Sequence, residues 1–132
     1  AGAEQVQQLA RDLQLPIEVV PTHSKDEMIN RLRQAVTQNA PYIAVAGGDG
    51  TIALAVQELA QTQTALGIVP QGTANNFATA LRLPQDLPSA LRVIGQGTTR
   101  RVDLGLVQVG HRKRYFTESA GIGLFADALS LY

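Results

Sequence analysis

Apolar positions along the chain recur with two different periods, and their alternation outlines the fold. Over residues 4–15, Val6, Leu9 and Leu13 are spaced as on a helix among glutamines and charges, and Pro16 ends the run. Ile17-Glu18-Val19-Val20 predicts a strand. Thr22 and Ser24 offer capping hydroxyls ahead of a helix over 25–38, whose apolar stripe is Met28, Leu32, Ala35 and Val36. A buried strand is predicted over 42–46, a helix over 51–61 with Ile52, Ala55, Val56 and Leu59 on one face, and a further strand over 65–69. A short helix follows over 77–81, and Asp86-Leu87-Pro88 opens another that runs to about residue 94. Strands alternating with helices predict a parallel sheet with right-handed crossovers. After Gly95 the rhythm changes: 101–109 and 115–118 flank Gly110-His111-Arg112-Lys113, a hairpin signal that begins antiparallel structure.

Two of the strand-to-helix junctions carry chemistry. In Val45-Ala46-Gly47-Gly48-Asp49-Gly50-Thr51-Ile52 an apolar run ends in three glycines, a carboxylate and a hydroxyl before turning helical. Glycines allow close backbone approach to a ligand, and successive N–H groups leading into a helix N-terminus form a seat for anionic oxygens. Asp49 would then face phosphate, which requires a metal ion or a transferable proton between them. The segment Ile68-Val69-Pro70-Gln71-Gly72-Thr73-Ala74-Asn75-Asn76-Phe77-Ala78 repeats the design. Neither is a Walker A loop, which needs Gly-Lys-Ser/Thr after its glycines, and Gly48-Asp49-Gly50 supplies only half of a dinucleotide G-x-G-x-x-G fingerprint. The bland alternative is a tight strand-to-helix connection with Asp49 as a helix cap, a role that can coexist with phosphate chemistry.

Together, Gly47-Gly48-Asp49-Gly50-Thr51, Gly72-Thr73-Ala74-Asn75 with Phe77-Ala78, and Arg101-Val102-Asp103-Leu104-Gly105 resemble the diacylglycerol kinase catalytic domain family, which includes bacterial lipid kinases and sphingosine kinases. The resemblance implies an α/β fold: a parallel sheet flanked by helices, as in NAD kinases and phosphofructokinases, followed by a β-sandwich. Residues 1–99 would be the nucleotide-binding domain, lacking its first strand, and 100–132 the first antiparallel strands of the mostly missing β domain. The chain thus reads as a piece of a longer protein, and oligomerisation, swapped strands or poor order are expected beyond about Gly105.

The implied activity is an ATP- and Mg²⁺-dependent lipid kinase that transfers the γ-phosphate to the hydroxyl of diacylglycerol or a related lipid. This chain would be its ATP-binding half-site, with little turnover alone and the general base in the missing domain. Asp49 is the implied catalytic residue and metal contact, acting through water. Gly47, Gly48, Gly50 and Thr51 from the first turn, with Gly72 and Thr73 from the second, would hold phosphate, Thr51 through its hydroxyl and its N–H. Asn75 is equally an amide for ribose or phosphate oxygens and a helix cap. Thr22 aligns with a nucleotide-contacting threonine, beside its alternative as N-cap of the helix from Lys25. Asn76 departs from the family, many of whose members carry aspartate there. The rival readings are an NAD kinase-like phosphotransferase and a non-catalytic nucleotide-binding module.

Composition narrows the surroundings. The 132 residues are 45% hydrophobic and 17% charged, with a formal net charge of +0, which gives no electrostatic argument for nucleic acid. Cysteine and tryptophan are absent, so neither a disulfide frame nor a thiolate metal site is available. His23 and His111 have no carboxylate at a catalytic spacing. The partners expected are a nucleotide, a lipid substrate at a membrane surface and further copies of the chain, in a cytoplasmic setting with peripheral membrane contact. Arg100, Arg101 and Arg112-Lys113-Arg114 form a basic cluster that reads first as a solvated turn.

Overall fold

The two apolar runs that end at the glycine turns become β1 (Tyr42–Gly47) and β2 (Ala65–Pro70) in the computed structural model, which describes residues 2–118. They pair in parallel and in continuous register, from Tyr42 opposite Ala65 to Gly47 opposite Pro70. A parallel pair cannot be closed by a tight turn, and α3 (Asp49–Leu59) supplies the crossover. The remaining elements are α1 (Ala3–Asp12), α2 (Lys25–Thr37), α4 (Asn76–Ala80), α5 (Leu87–Gln96), β3 (Gly105–Val109) and β4 (Arg112–Phe116).

Successive side chains of a strand point to opposite faces, so adjacent β2 residues serve different cores. Ile68 joins Val45, Met28, Leu32, Ile52, Ala55, Val56, Leu59, Phe77 and Ala78 in the cluster under α2, α3 and α4. Val69 joins Val6 and Leu91 in a second cluster under α1 and α5, extended by Leu9, Leu13, Leu87 and Ile94. The result is a parallel sheet with a helical layer on each face, as the alternation of periods predicts.

Helix ends follow local chemistry. Ser24 Oγ accepts from the Glu27 N–H at 3.1 Å and the Glu27 carboxylate accepts from the His23 N–H at 2.9 Å, a reciprocal arrangement of the capping-box kind. The cap of α2 is therefore Ser24 and not Thr22, because the chain turns helical only after Ser24. Asp86 caps α5 by accepting from the Ser89 N–H at 2.9 Å, and Pro88 sits in the first turn, where its missing donor costs nothing. At the other end Gly97 takes φ +67°, the left-handed conformation of a glycine stop.

The strand predicted over 17–20 does not form. That segment is in no sheet. A groove of about 660 Å³ lies between it and β1, floored by Val6, Val69 and Leu91 and by Met28 and Leu32. A ladder needs a neighbour to exchange backbone hydrogen bonds, and among the described residues 17–20 pair with no strand. The Gln7 side chain substitutes in part, accepting from the Val19 N–H at 2.9 Å and donating to the Ile17 carbonyl at 3.3 Å.

The predicted hairpin does form, with Gly105 opposite Phe116 and Val109 opposite Arg112 around a two-residue turn in which Gly110 has φ +59°. It docks on α3 through Gln57, whose carboxamide donates to the Tyr115 carbonyl and accepts from the Tyr115 N–H at 3.0 Å. One side chain thereby replaces a strand partner. The part of the expected second unit over 119–132 lies outside the described residues.

Leu32 and Leu91 are the largest fully buried side chains, one in each cluster. Leu32→Ala should lower unfolding stability by about 2–5 kcal/mol, read as a fall in denaturant midpoint at unchanged slope. The Ser89 backbone N–H holds the Asp86 carboxyl below the usual carboxylate range. Its stabilising effect is present above the unfolded-state pKa and is lost as pH falls through the depressed folded value. Acid unfolding of Asp86→Asn should consequently show a weaker pH dependence than wild type in that window.

Candidate phosphate-binding site

Gly48 is the N-cap of α3, with extended φ/ψ of −90° and −175°, and its carbonyl accepts from the N–H groups of both Thr51 and Ile52 at 3.0 Å. No side chain caps this end. The N–H groups of Asp49 and Gly50, at the first two helical positions, have no intrahelical acceptor, and the helix dipole adds partial positive charge there. An anionic oxygen placed at this end meets donors and a favourable field. Thr51 can offer only its hydroxyl to a ligand, since its N–H is already bonded to Gly48, which corrects the expectation that it gives both. Its side chain lies over Gly47, where an added Cβ would come within 2.6 Å of Thr51 Cβ.

The second turn is braced from within. Asn75 Oδ1 accepts from the Gly72 N–H at 2.8 Å and Asn75 Nδ2 donates to the Gly72 carbonyl at 2.9 Å. Asn75 itself stands in the left-handed region at φ 49° and ψ 44°, which asparagine tolerates better than most residues. Its side chain makes no cap bond to α4, so of its two anticipated roles the capping one is not seen, and its amide is largely engaged in shaping the turn. Thr73 is exposed at the bend.

The two turns touch glycine to glycine. A Cβ built on Gly72 would stand 2.6 Å from Gly48 Cα, and one built on Gly48 would stand 3.0 Å from Gly72 Cα. Asp49 bridges them: Oδ2 accepts from the Asn76 N–H at 3.1 Å and Oδ1 from the Phe77 N–H at 3.2 Å. Asp49 does cap a helix, though not its own. It fills the open donors of α4 from across the site, 27 and 28 positions away in sequence, which no local pattern announces. Thr22 is exposed and lines the groove beside β1 together with Thr51 and Gln71. Of the residues singled out from sequence, Gly47, Gly48, Asp49, Gly50, Thr51, Gly72, Thr73 and Asn75 gather at the carboxyl edge of the sheet, with Thr22 on the adjoining groove. The sequence reading missed Gln57, and also Glu118, whose Oε2 accepts from Asn76 Nδ2 at 3.3 Å.

The donor set suits a hard cation that keeps most of its own water. Among the described residues no three His, Cys, Asp or Glu side chains cluster as a metal cage. Each Asp49 oxygen accepts one N–H and retains further lone-pair capacity. Mg²⁺ is commonly held by one or two carboxylates plus substrate phosphates and water, and Asp49 beside two glycine turns fits that pattern.

Parallel strands ending in two touching glycine turns, each leading into a helix and the pair bridged by a carboxylate, define an α/β domain whose two turns open at one edge of the sheet. The model of the diacylglycerol kinase catalytic domain matches residues 1–107, and the chain belongs to that family. It is 35% identical over 115 residues to a probable lipid kinase YegS-like of Klebsiella pneumoniae, covering 86% of this chain and 38% of that protein. It is 39% identical over 92 residues to a diacylglycerol kinase of Staphylococcus saprophyticus, covering 68% of this chain and 29% of that one. An uncharacterized protein of Synechocystis is 39% identical over 93 residues, with 67% of this chain and 22% of that protein covered. The chain thus spans well under half the length of these relatives.

Two glycine substitutions should separate packing from ligand approach. Gly72→Ala drives its methyl into Gly48 and Asn75 Oδ1 and should destabilise the fold by about 1–3 kcal/mol. Gly50→Ala meets nothing within 4 Å and replaces glycine inside a helix, so it should stabilise by roughly 0.5–1 kcal/mol. On the phosphate-seat expectation it should nevertheless weaken nucleotide binding, because the methyl would stand where a phosphate oxygen would approach. Thermal unfolding and calorimetric titration with ADP check both.

Proposed function

We propose that the chain is the nucleotide-binding part of an ATP- and Mg²⁺-dependent lipid kinase that phosphorylates the hydroxyl of diacylglycerol or a related lipid. The observation that carries this reading is the contact between Gly48 and Gly72, which merges two backbone phosphate seats into one and sets Asp49 at their junction. The names of the relatives from Klebsiella and Staphylococcus support a lipid as acceptor.

Phosphoryl transfer depends chiefly on positioning and on neutralising phosphate charge. The Asp49 and Gly50 N–H groups at the start of α3 hold phosphate oxygens, and the Thr51 hydroxyl adds a third contact. Gly72 and Thr73 approach from the other side, with the backbone kept open by the Asn75 brace. The lipid hydroxyl oxygen forms the new bond to the γ-phosphorus, the bond from that phosphorus to the bridging oxygen breaks, and ADP departs. The hydroxyl proton passes to a base we assign to a β-rich unit that the hairpin opens. When bound, Mg²⁺ neutralises charge on the phosphates and on the leaving oxygen. Asp49, fixed by two N–H donors, keeps further lone-pair capacity on both of its oxygens.

The groove between residues 17–20 and β1 belongs to the same account. One wall is β1 and the floor is apolar through Val6, Val69, Leu91, Met28 and Leu32, which suits a parallel strand buried against both helical layers. We assign it to one further parallel strand lying between residues 17–20 and β1. No helix among the described residues is long and apolar enough to cross a membrane.

The decisive assay is ATP-dependent phosphorylation of diacylglycerol in mixed micelles by the whole protein, with NAD as rival acceptor. Asp49→Asn should lower turnover by about a hundredfold or more, the scale of one electrostatic element lost from a transition state. An amide keeps only one acceptor oxygen for two N–H donors, so α4 should also loosen, by roughly 1–2 kcal/mol. Phosphorylation of NAD in preference to diacylglycerol, or near wild-type turnover in Asp49→Asn, would contradict the reading.

A further inference from the structure

Residues 104–117 carry three consecutive cations, Arg112-Lys113-Arg114, and no carboxylate, in a chain whose formal net charge is +0. The hairpin sorts these cations against valines. Side chains alternate between the two faces of a β-ribbon, and Tyr115 shares with its partner Leu106 the face turned to the core, where Tyr115 packs against the cluster of Leu32 and Ile52. The opposite face pairs Val107 with Arg114 and Val109 with Arg112, and at its base the Phe116 ring lies over Gly105. Both valines and both arginines are exposed, and Val109, at 73%, is the most exposed large hydrophobic residue among those described. Among the described residues Arg112, Lys113 and Arg114 form no ion pair.

Such a face suits neither plain water nor an apolar layer of protein. An apolar layer would bury two guanidinium groups without carboxylate partners, which is costly, and water leaves both valines uncovered. We propose that Val107, Val109, Arg112 and Arg114, with Lys113 beside them near the tip, form a docking surface for the anionic headgroups of a phospholipid bilayer. Guanidinium forks match phosphate oxygens in pairs, while the valines and the arginine stems reach the boundary between headgroups and acyl chains. A nucleic acid fits less well, because the Tyr115 and Phe116 rings are engaged within the protein and are not offered for stacking. Such docking requires neither nucleotide nor lipid acceptor, so it goes beyond the kinase reading without resting on it. Because Gln57 ties β4 to α3, contact through the hairpin also fixes how the helix that starts at the first glycine turn stands above the bilayer.

The test is flotation of the 132-residue chain with vesicles of phosphatidylcholine alone and with vesicles of equal parts phosphatidylcholine and phosphatidylglycerol, both free of diacylglycerol and nucleotide. The chain should float with the anionic vesicles only, and added salt should release it. Replacing Arg112, Lys113 and Arg114 together by alanine should weaken vesicle binding roughly a hundredfold, at about fivefold for each cation held near the surface. Val109→Ser should weaken it by about fivefold through the lost apolar contact, and should leave binding to heparin, a polyanion with no apolar phase, unchanged. All four positions are exposed, and unchanged circular dichroism keeps loss of fold out of the comparison. Equal flotation with the neutral vesicles, or wild-type vesicle affinity in the triple variant, overturns the proposal. Wild-type vesicle affinity in Val109→Ser overturns it as well, because the cations alone would then make a general polyanion site.

Discussion

The contact between Gly48 and Gly72 is the constraint on which the rest of the site depends. The two strand-to-helix turns meet more closely than side chains would allow, because a Cβ on either glycine would strike the other turn. The parallel register of β1 and β2, which sets Gly47 opposite Pro70, delivers the turns to the same edge. Ligands of open α/β sheets bind beyond the carboxyl ends of the strands, and here that edge carries the uncapped start of α3 together with the Asp49 carboxylate.

Asp49 unites structure and chemistry in one group. By accepting from the N–H groups of Asn76 and Phe77 it ties the second turn to the first, and the same bonds fix the direction of its remaining lone pairs. A carboxylate hydrogen-bonded by two backbone donors is preorganised, which is where electrostatic catalysis gains most. On the proposed function, capping and phosphate chemistry would be two uses of a single geometry. The brace of Asn75 on Gly72 works in the same way, since it holds the turn open without placing a side chain across its mouth.

Much of this was legible in the sequence, for local reasons. The helical stripes through Leu32 and Ile52, the continuous apolar runs of β1 and β2 and the Gly110 turn each depend on neighbours within a few positions. So does the combination of three glycines with an acid that marked the first turn. What the sequence did not show is non-local. Residues 17–20 have the pattern of a strand, yet a strand exists only beside another, and the groove separates them from β1. Thr22 and Ser24 are both competent caps, and the choice of Ser24 follows from the reciprocal bonds to Glu27 and His23. The grip of Gln57 on Tyr115 spans 58 positions and the bond from Asn76 to Glu118 spans 42, so neither leaves a periodic trace.

The claim that two turns form one phosphate site is tested most directly by following backbone amide resonances while ADP and Mg²⁺ are titrated into the chain. The account predicts that the amides of Asp49 and Gly50 in the first turn and of Gly72 and Thr73 in the second shift together, along one binding curve with one dissociation constant. Shifts confined to a single turn, or two turns responding at clearly different nucleotide concentrations, would contradict it.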